Sequence, residues 1–185
     1  MRSNKDRLYI ALYARGGTAK MPGQEDKYHW AFIIGPKVEP REGGQGVRFH
    51  AMESLTSGGE SSEPHSMWAY DESTIALRAT KMLLARVVIA KIKDVDRLKS
   101  VFQSTPIRPE VPGWNCVGWV EEAFRKAMED GDALGRAADS WKAVRDAAMW
   151  YVEKKKSEHR FDGQRQYDQS KAATWDIFQG KEITP

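Results

Sequence analysis

The sequence predicts an α+β domain in which helices cover a mostly antiparallel sheet. Segments with strand-like patterns fill the first half of the chain, and segments with helical spacing fill the second half. The strand-like segments follow one another through turns, which favours hairpins over the crossovers of a parallel sheet. With 185 residues, the chain is long enough for one domain and short for two.

Five segments predict the strands of this sheet. They are Leu8–Ala14, Tyr28–Pro36, Val47–Met52, Ser66–Glu72 and Ala85–Ile92. The first is a short apolar and aromatic run closed by "RGG", the last is rich in β-branched residues, and the fourth has the weakest strand pattern. Glycines between the second and third segments mark a turn, so we expect these two to pair as an antiparallel hairpin.

Three segments of the second half predict helices. The first begins after Asp94, whose side chain can cap a helix N-terminus. The second covers about Asn115–Asp130 and ends at Gly131, because glycine readily takes the left-handed backbone found at helix ends. The third and longest covers about Asp139–His159.

Two polar segments predict irregular surface structure. Ser54–Pro64 is rich in Ser and Gly, which is typical of an exposed loop. Residues 161–185 are polar apart from "TWDIF", which predicts a loosely held tail anchored by Trp175 and Phe178. The expected organisation is a single α+β domain over residues 1–160, followed by this tail.

Charge and cysteine content restrict the expected partners and compartment. The 29 basic and 26 acidic residues are interspersed and leave a net charge of +3, so neither nucleic acid nor a membrane surface is an expected partner. A single cysteine cannot form an intramolecular disulfide, which suits a reducing compartment. No apolar run reaches the length of a signal peptide or membrane span, so we expect a cytoplasmic protein with no transmembrane segment. The oligomeric state stays open.

The single cysteine, Cys116, lies in "PGWNCVGWVEEAF" at the start of the second predicted helix. Asn115 is placed to cap this helix, and the free N–H groups and dipole of a helix N-terminus favour a thiolate, the nucleophilic form of cysteine. Cys116 also belongs to the apolar stripe of the helix, where a free cysteine is usually buried packing. The helix alone leaves both interpretations open, and catalysis would need a base on the surface that this face covers.

Two histidines, His29 and His50, lie in the second and third predicted strands. Pairing Ile34 with Val47 places them diagonally on one face, pairing Phe32 with Val47 places them directly opposite, and a one-residue slip separates them. On one face beneath the cysteine-bearing helix, they would supply a base and a group that orients it. Otherwise they are a strand-end histidine bonded to backbone and an unrelated surface residue.

A metal site is a weaker interpretation of the same residues. Two histidines and one cysteine fall short of the four ligands of a structural zinc site, and no closely spaced ligand pair is present. We therefore expect neither a metal nor a cofactor.

Three motifs together resemble those of a known fold. In chain order they are "HWAFIIG" (His29–Gly35), "RFHA" (Arg48–Ala51) and "NCVGWVEE" (Asn115–Glu122). They resemble the circularly permuted NlpC-type papain-like fold, and in particular the lecithin:retinol acyltransferase and HRAS-like suppressor phospholipase group. Trp119 stands where that group usually has Phe. The chain as a whole also resembles an uncharacterised family of fungal proteins.

The resemblance implies a catalytic cysteine. It makes Cys116 the nucleophile that attacks an acyl carbonyl, His29 the base, and His50 the residue that orients the base. The expected function is a cysteine-dependent hydrolase or acyltransferase acting on an ester, amide or thioester carbonyl of a small-molecule, acyl or peptide substrate.

Three residues beside these motifs are expected to line the substrate cleft, namely Trp114, Asn115 and Trp30. Other functions remain open at this point. An (iso)peptidase could use the same Cys–His pair and would need an open groove for an extended chain. The domain could also be a non-catalytic binding module, or a tailoring enzyme of small-molecule biosynthesis.

Overall fold

The computed structural model describes residues 6–41, 43–56, 59–60, 63 and 65–185. Within these residues the chain forms eight β-strands and three α-helices. The strands are β1 (Arg7–Ala14), β2 (Tyr28–Gly35), β3 (Gln45–Thr56), β4 (His65–Ala76), β5 (Leu83–Ile92), β6 (Leu134–Ala137), β7 (Ala173–Asp176) and β8 (Lys181–Thr184). The helices are α1 (Val95–Ser104), α2 (Cys116–Asp130) and α3 (Trp141–Ser157), and a short 3-10 helix spans Glu25–Lys27.

The described strands form one sheet in the order β4-β3-β2-β1-β5-β7-β8, with β6 also paired to β5. Each neighbouring pair is antiparallel except β5 and β7, which run parallel. The predicted α+β class with a mostly antiparallel sheet is therefore confirmed. None of the described helices is both long and apolar enough to cross a membrane.

The hairpin formed by β3 and β4 is longer than the sequence pattern predicts. Strand β3 continues to Thr56 and β4 begins at His65, so part of the expected Ser54–Pro64 loop is strand. Residues 57, 58, 61, 62 and 64 of that loop lie outside the described residues. The strand pattern of the β4 segment is weak because β4 is an edge strand with largely exposed side chains. Polar residues carry no burial cost at such positions.

Three helix ends follow the predicted capping residues, and the third helix is shorter than predicted. The Asp94 side chain caps α1, the Asn115 side chain accepts the backbone N–H of Val117 in α2, and Gly131 ends α2 with φ of 76°. Helix α3 begins after Ser140 rather than at Asp139, because the Ser140 hydroxyl caps its first turn. It ends at Ser157, two residues before the predicted end.

The prediction of a loosely held C-terminal tail is wrong. Strand β7 pairs with β5 and β8 pairs with β7, so residues 173–184 complete the sheet. The polar side chains of this segment have partners on the body of the protein: Glu182 accepts hydrogen bonds from Tyr151 and from the buried ammonium of Lys155. Trp175 packs edge-on against Trp150, with ring centroids 4.8 Å apart. Polarity here reflects satisfied partners rather than disorder.

The two faces of the sheet bury different residues. On one face Trp30 and Phe32 belong to the main core, where Phe32 stacks on Phe102 of α1 at 4.8 Å and contacts Trp119 of α2. On the opposite face a smaller cluster includes Ile33. Alternation along β2 therefore points Trp30 and Phe32 toward the helices and points His29 away from them.

Candidate active site

His29 and His50 lie side by side. Strands β2 and β3 pair Ile34 with Val47, which is one of the two registers that place the histidines on one face, in the diagonal arrangement. His29 Nε2 lies 2.6 Å from His50 Nδ1, and their rings meet edge-on at 4.9 Å. The two imidazoles are therefore directly hydrogen-bonded.

An aspartate that sequence reasoning missed completes this pair. Asp71 lies opposite His50 in the pairing of β3 with β4, and its Oδ2 is 3.0 Å from His50 Nε2. The same oxygen lies 3.8 Å from Arg48 and accepts a hydrogen bond from Ser73. The available signal was "YDES" in the weakest predicted strand, but only the hairpin register shows which histidine it meets.

The chain of hydrogen bonds assigns the protons. A carboxylate accepts only, so His50 Nε2 carries hydrogen toward Asp71 and the neutral ring leaves Nδ1 as an acceptor. His29 Nε2 must then donate to His50 Nδ1, which leaves the lone pair on Nδ1 of His29. The basic nitrogen at the end of the chain is therefore His29 Nδ1.

Both histidines are held in the neutral form. Burial lowers the pKa of His29 to about 3, with further lowering by His50, Arg15 and Arg48. Burial and then Arg48 lower the pKa of His50, against the opposing hydrogen bond and charge of Asp71. Neither ring carries a charge near neutral pH, so the pair can accept a proton but does not hold one.

Cys116 lies on the side of the sheet opposite to the face that carries His29 and His50, so the condition that helix α2 covers the face of the two histidines is not met. The residue is fully buried in the main core cluster on the Trp30 side of the sheet. His29 and His50 point to the other side. Within the described residues, no hydrogen bond joins Sγ to either ring.

A gap between two strands lies at the start of β2. The pairing of β2 with β3 covers only Phe32 to Ile34 of β2, so the start of β2 is free of β3. There the backbone N–H of Trp30 is close enough to Cys116 to act to lower the pKa of its thiol. His29 precedes Trp30 in the chain, so one residue separates the histidine from the backbone group that the thiol approaches.

Arg15 spans this opening. Its Nη1 lies 4.0 Å from Sγ of Cys116, and its Nη2 lies 3.5 Å from Glu53. It lines a cavity of about 270 Å³ together with His29 and His50. The guanidinium therefore contacts the thiol and borders the same cavity as the two imidazoles.

The same arginine also lines a larger cavity of about 590 Å³, together with Trp114 and Asn115. Two of the three expected cleft residues thus border a cavity beside the thiol. The third, Trp30, is fully buried and donates its indole N–H to the backbone oxygen of Glu25. Trp30 contributes to this site through its backbone and not its side chain.

Burial dominates the electrostatics of Cys116. It raises the pKa of the thiol, although the N–H of Trp30, the charge of Arg15 and the N–H groups at the start of α2 all act to lower it. The helix N-terminus by itself would favour the thiolate, but the loss of water around a fully buried sulfur outweighs it. The resting cysteine is a neutral thiol.

Among the described residues, no three His, Cys, Asp or Glu side chains are grouped to hold a metal ion. No curated protein matches the chain, and neither does any solved structure. A family model matches residues 5–184, nearly the whole chain, so the chain belongs to DUF6914, a family of unknown function.

Proposed function

We propose that this protein is a cysteine-dependent hydrolase or acyltransferase with a permuted NlpC-type papain-like fold. Cys116 is the nucleophile, His29 is the base, and His50 and Asp71 are positioning residues. The observation that carries the proposal is the His29–His50–Asp71 hydrogen-bond chain, which borders a cavity shared with Arg15, the side chain that contacts the thiol. A nucleophile, a base and a series of groups that orient the base are the elements of a catalytic triad.

In the first half-reaction, Sγ attacks the acyl carbonyl carbon while His29 Nδ1 takes the thiol proton. The carbonyl oxygen becomes an oxyanion, and the backbone N–H groups of Trp30 and Cys116 that point at Sγ are available to stabilise it. One such donor can contribute about 100- to 1000-fold in rate. The tetrahedral intermediate then expels the alcohol, amine or thiol, which takes the proton from His29, and a thioester remains on Cys116.

In the second half-reaction, water or another acceptor attacks the thioester. His29 Nδ1 takes the proton of the acceptor and returns it to the sulfur as the carbon–sulfur bond breaks. His50 keeps the His29 ring oriented through both steps because Asp71 fixes the tautomer of His50. Atoms and protons balance, and the free thiol is regenerated.

The resting state favours general-base catalysis over a preformed ion pair. The pKa of His29 is lowered and that of Cys116 is raised, so transfer of the thiol proton to His29 is uphill at rest and must accompany the attack on the carbonyl. The cavity of about 590 Å³ falls within the range of about 300–1,000 Å³ that is typical of small-molecule sites, which favours a compact substrate over an extended chain.

A panel of p-nitrophenyl acyl esters tests the proposal. Release of p-nitrophenolate in a burst should be matched by an acyl adduct in the intact mass, and both should be absent in Cys116→Ser, which removes the one cysteine of the chain. His29→Gln should slow acylation about 100-fold or more, as removal of a general base does. His65→Gln, an exposed histidine of β4, is the matched control. Equal acylation rates in wild type and His29→Gln would refute the proposal.

A further inference from the structure

Arg15 lies where three cavities meet. Besides the two cavities already described, it borders one of about 320 Å³ whose wall includes the apolar side chains of Tyr28, Leu84 and Phe161. A single guanidinium thus adjoins the cavity that holds the histidines, the cavity of about 590 Å³ and an apolar cavity. Arg15 is the lining residue common to these three cavities, and it contacts the thiol.

The present partners of Arg15 hold it loosely. Its carboxylate partner, Glu53, is 39% exposed and lies 3.5 Å away, longer than the 2.7–2.9 Å of a tight charge-assisted hydrogen bond. Exposed pairs of this kind contribute little to stability. The contact with Sγ at 4.0 Å is weaker still. A guanidinium with five N–H donors can therefore exchange Glu53 for a better-placed carboxylate at little cost.

The neighbouring charges leave this exchange open. Asp26, which borders the cavity of about 590 Å³, already accepts the backbone N–H groups of Lys20 and Met21. Lys27, Lys156 and Asp162 also line the apolar cavity, and Asp162 is paired with His159. Glu53 is the carboxylate that forms an ion pair with Arg15.

We propose that Arg15 is the anion-binding group of this site and that the substrate is an apolar acyl compound carrying a carboxylate near the reacting carbonyl. The substrate carboxylate replaces Glu53 on the guanidinium and draws Arg15 off the thiol, which is fully buried at rest. The apolar body occupies the cavity lined by Tyr28, Leu84 and Phe161. This inference rests on the proposed function for its reacting carbonyl, but the anion selectivity of the thiol can be measured independently.

Alkylation of the single cysteine by two reagents of similar size tests it. Iodoacetate carries a carboxylate and iodoacetamide is neutral, so the ratio of their rate constants, divided by the same ratio for glutathione, reports anion recruitment to Cys116. We expect a normalised ratio about tenfold above one in wild type, because a charged partner strengthens a hydrogen bond. Arg15→Gln should bring the ratio to about one, and Arg15→Lys, which keeps a cation, should lie between the two.

Two further variants test the exchange of carboxylates on Arg15 and its specificity. Glu53→Gln removes the competing carboxylate and should raise the iodoacetate rate several-fold, whereas a slower reaction would contradict the exchange. Arg125→Gln removes an exposed arginine that pairs with Glu121 on the same helix as Cys116, and it should leave the ratio unchanged. Equal ratios in wild type and Arg15→Gln would overturn the proposal.

The outcome is separable from that of the ester experiment. His29→Gln changes acylation by p-nitrophenyl esters if the catalytic proposal holds, but it leaves the charge of Arg15 in place and should not change the ratio of the two alkylation rates. A raised ratio that falls in Arg15→Gln supports anion recruitment even if the ester experiment fails.

Discussion

His29 should make the folded protein less stable as the pH falls below about 6.5. In the unfolded chain a histidine takes up a proton near pH 6.5, whereas burial and the neighbouring cations lower the pKa of the folded His29 to about 3. At pH values between these two pKa values, the unfolded state binds a proton at His29 that the folded state does not bind. Stability contributed by this site is therefore complete above pH 6.5 and decreases progressively toward pH 3.

The size of the effect follows from the two pKa values. At pH 5 the unfolded histidine is almost fully protonated and the folded one is neutral, which lowers the free energy of unfolding by about 2 kcal/mol relative to pH 7. At pH 3 and below, the full difference between the pKa values corresponds to about 5 kcal/mol.

Urea denaturation of wild type and His29→Gln at pH 7 and pH 5 measures this quantity. The amide of Gln can still donate toward His50 but does not titrate, so the variant should lose about 2 kcal/mol less than wild type over this interval. His65→Gln controls for the loss of an exposed histidine. If wild type and His29→Gln lose the same stability between the two pH values, the burial and orientation assigned to His29 are wrong.

Three further substitutions test packing and partners, each by urea denaturation at pH 7. Asp94→Ala removes the N-cap of α1 and should cost about 1 kcal/mol. Trp119→Ala empties a fully buried site between α1, α2 and the sheet and should cost about 3–5 kcal/mol, and a cost below 1 kcal/mol would contradict its burial. Glu182→Ala removes a partner of the buried Lys155 ammonium and should cost about 3 kcal/mol. Adding Lys155→Met should recover most of that loss, and a second loss would show that the charge was not the cause.

Local sequence signals predicted most of the strands and helices. The strands of the first half, the caps Asp94 and Asn115 and the end of α2 at Gly131 depend on short-range preferences that a few residues express. The contact between His29 and His50 depended on register: the sequence named two registers that place them on one face and left open a slipped register that separates them, and the structure has one of the two.

What the sequence could not show depends on distant pairing. Asp71 joins His50 through the β3–β4 hairpin, and its strand has the weakest pattern because it is an exposed edge. The face covered by α2 is set by tertiary packing, and it places Cys116 in the main core with Trp30, a question that the sequence left open. The pKa of its thiol follows burial, a global property, rather than the helix end, a local one.

The parallel pairing of β7 with β5 has a consequence for how the chain folds. Strand β5 lies inside the finished sheet, yet the β7 partner of residues 85–88 comes from beyond all three helices. Until that segment arrives, this part of β5 presents an apolar strand edge with unpaired backbone groups, which is a template for pairing between chains. Contacts between positions so far apart in sequence form slowly. We expect refolding yield to fall with protein concentration, with self-association competing against this late closure.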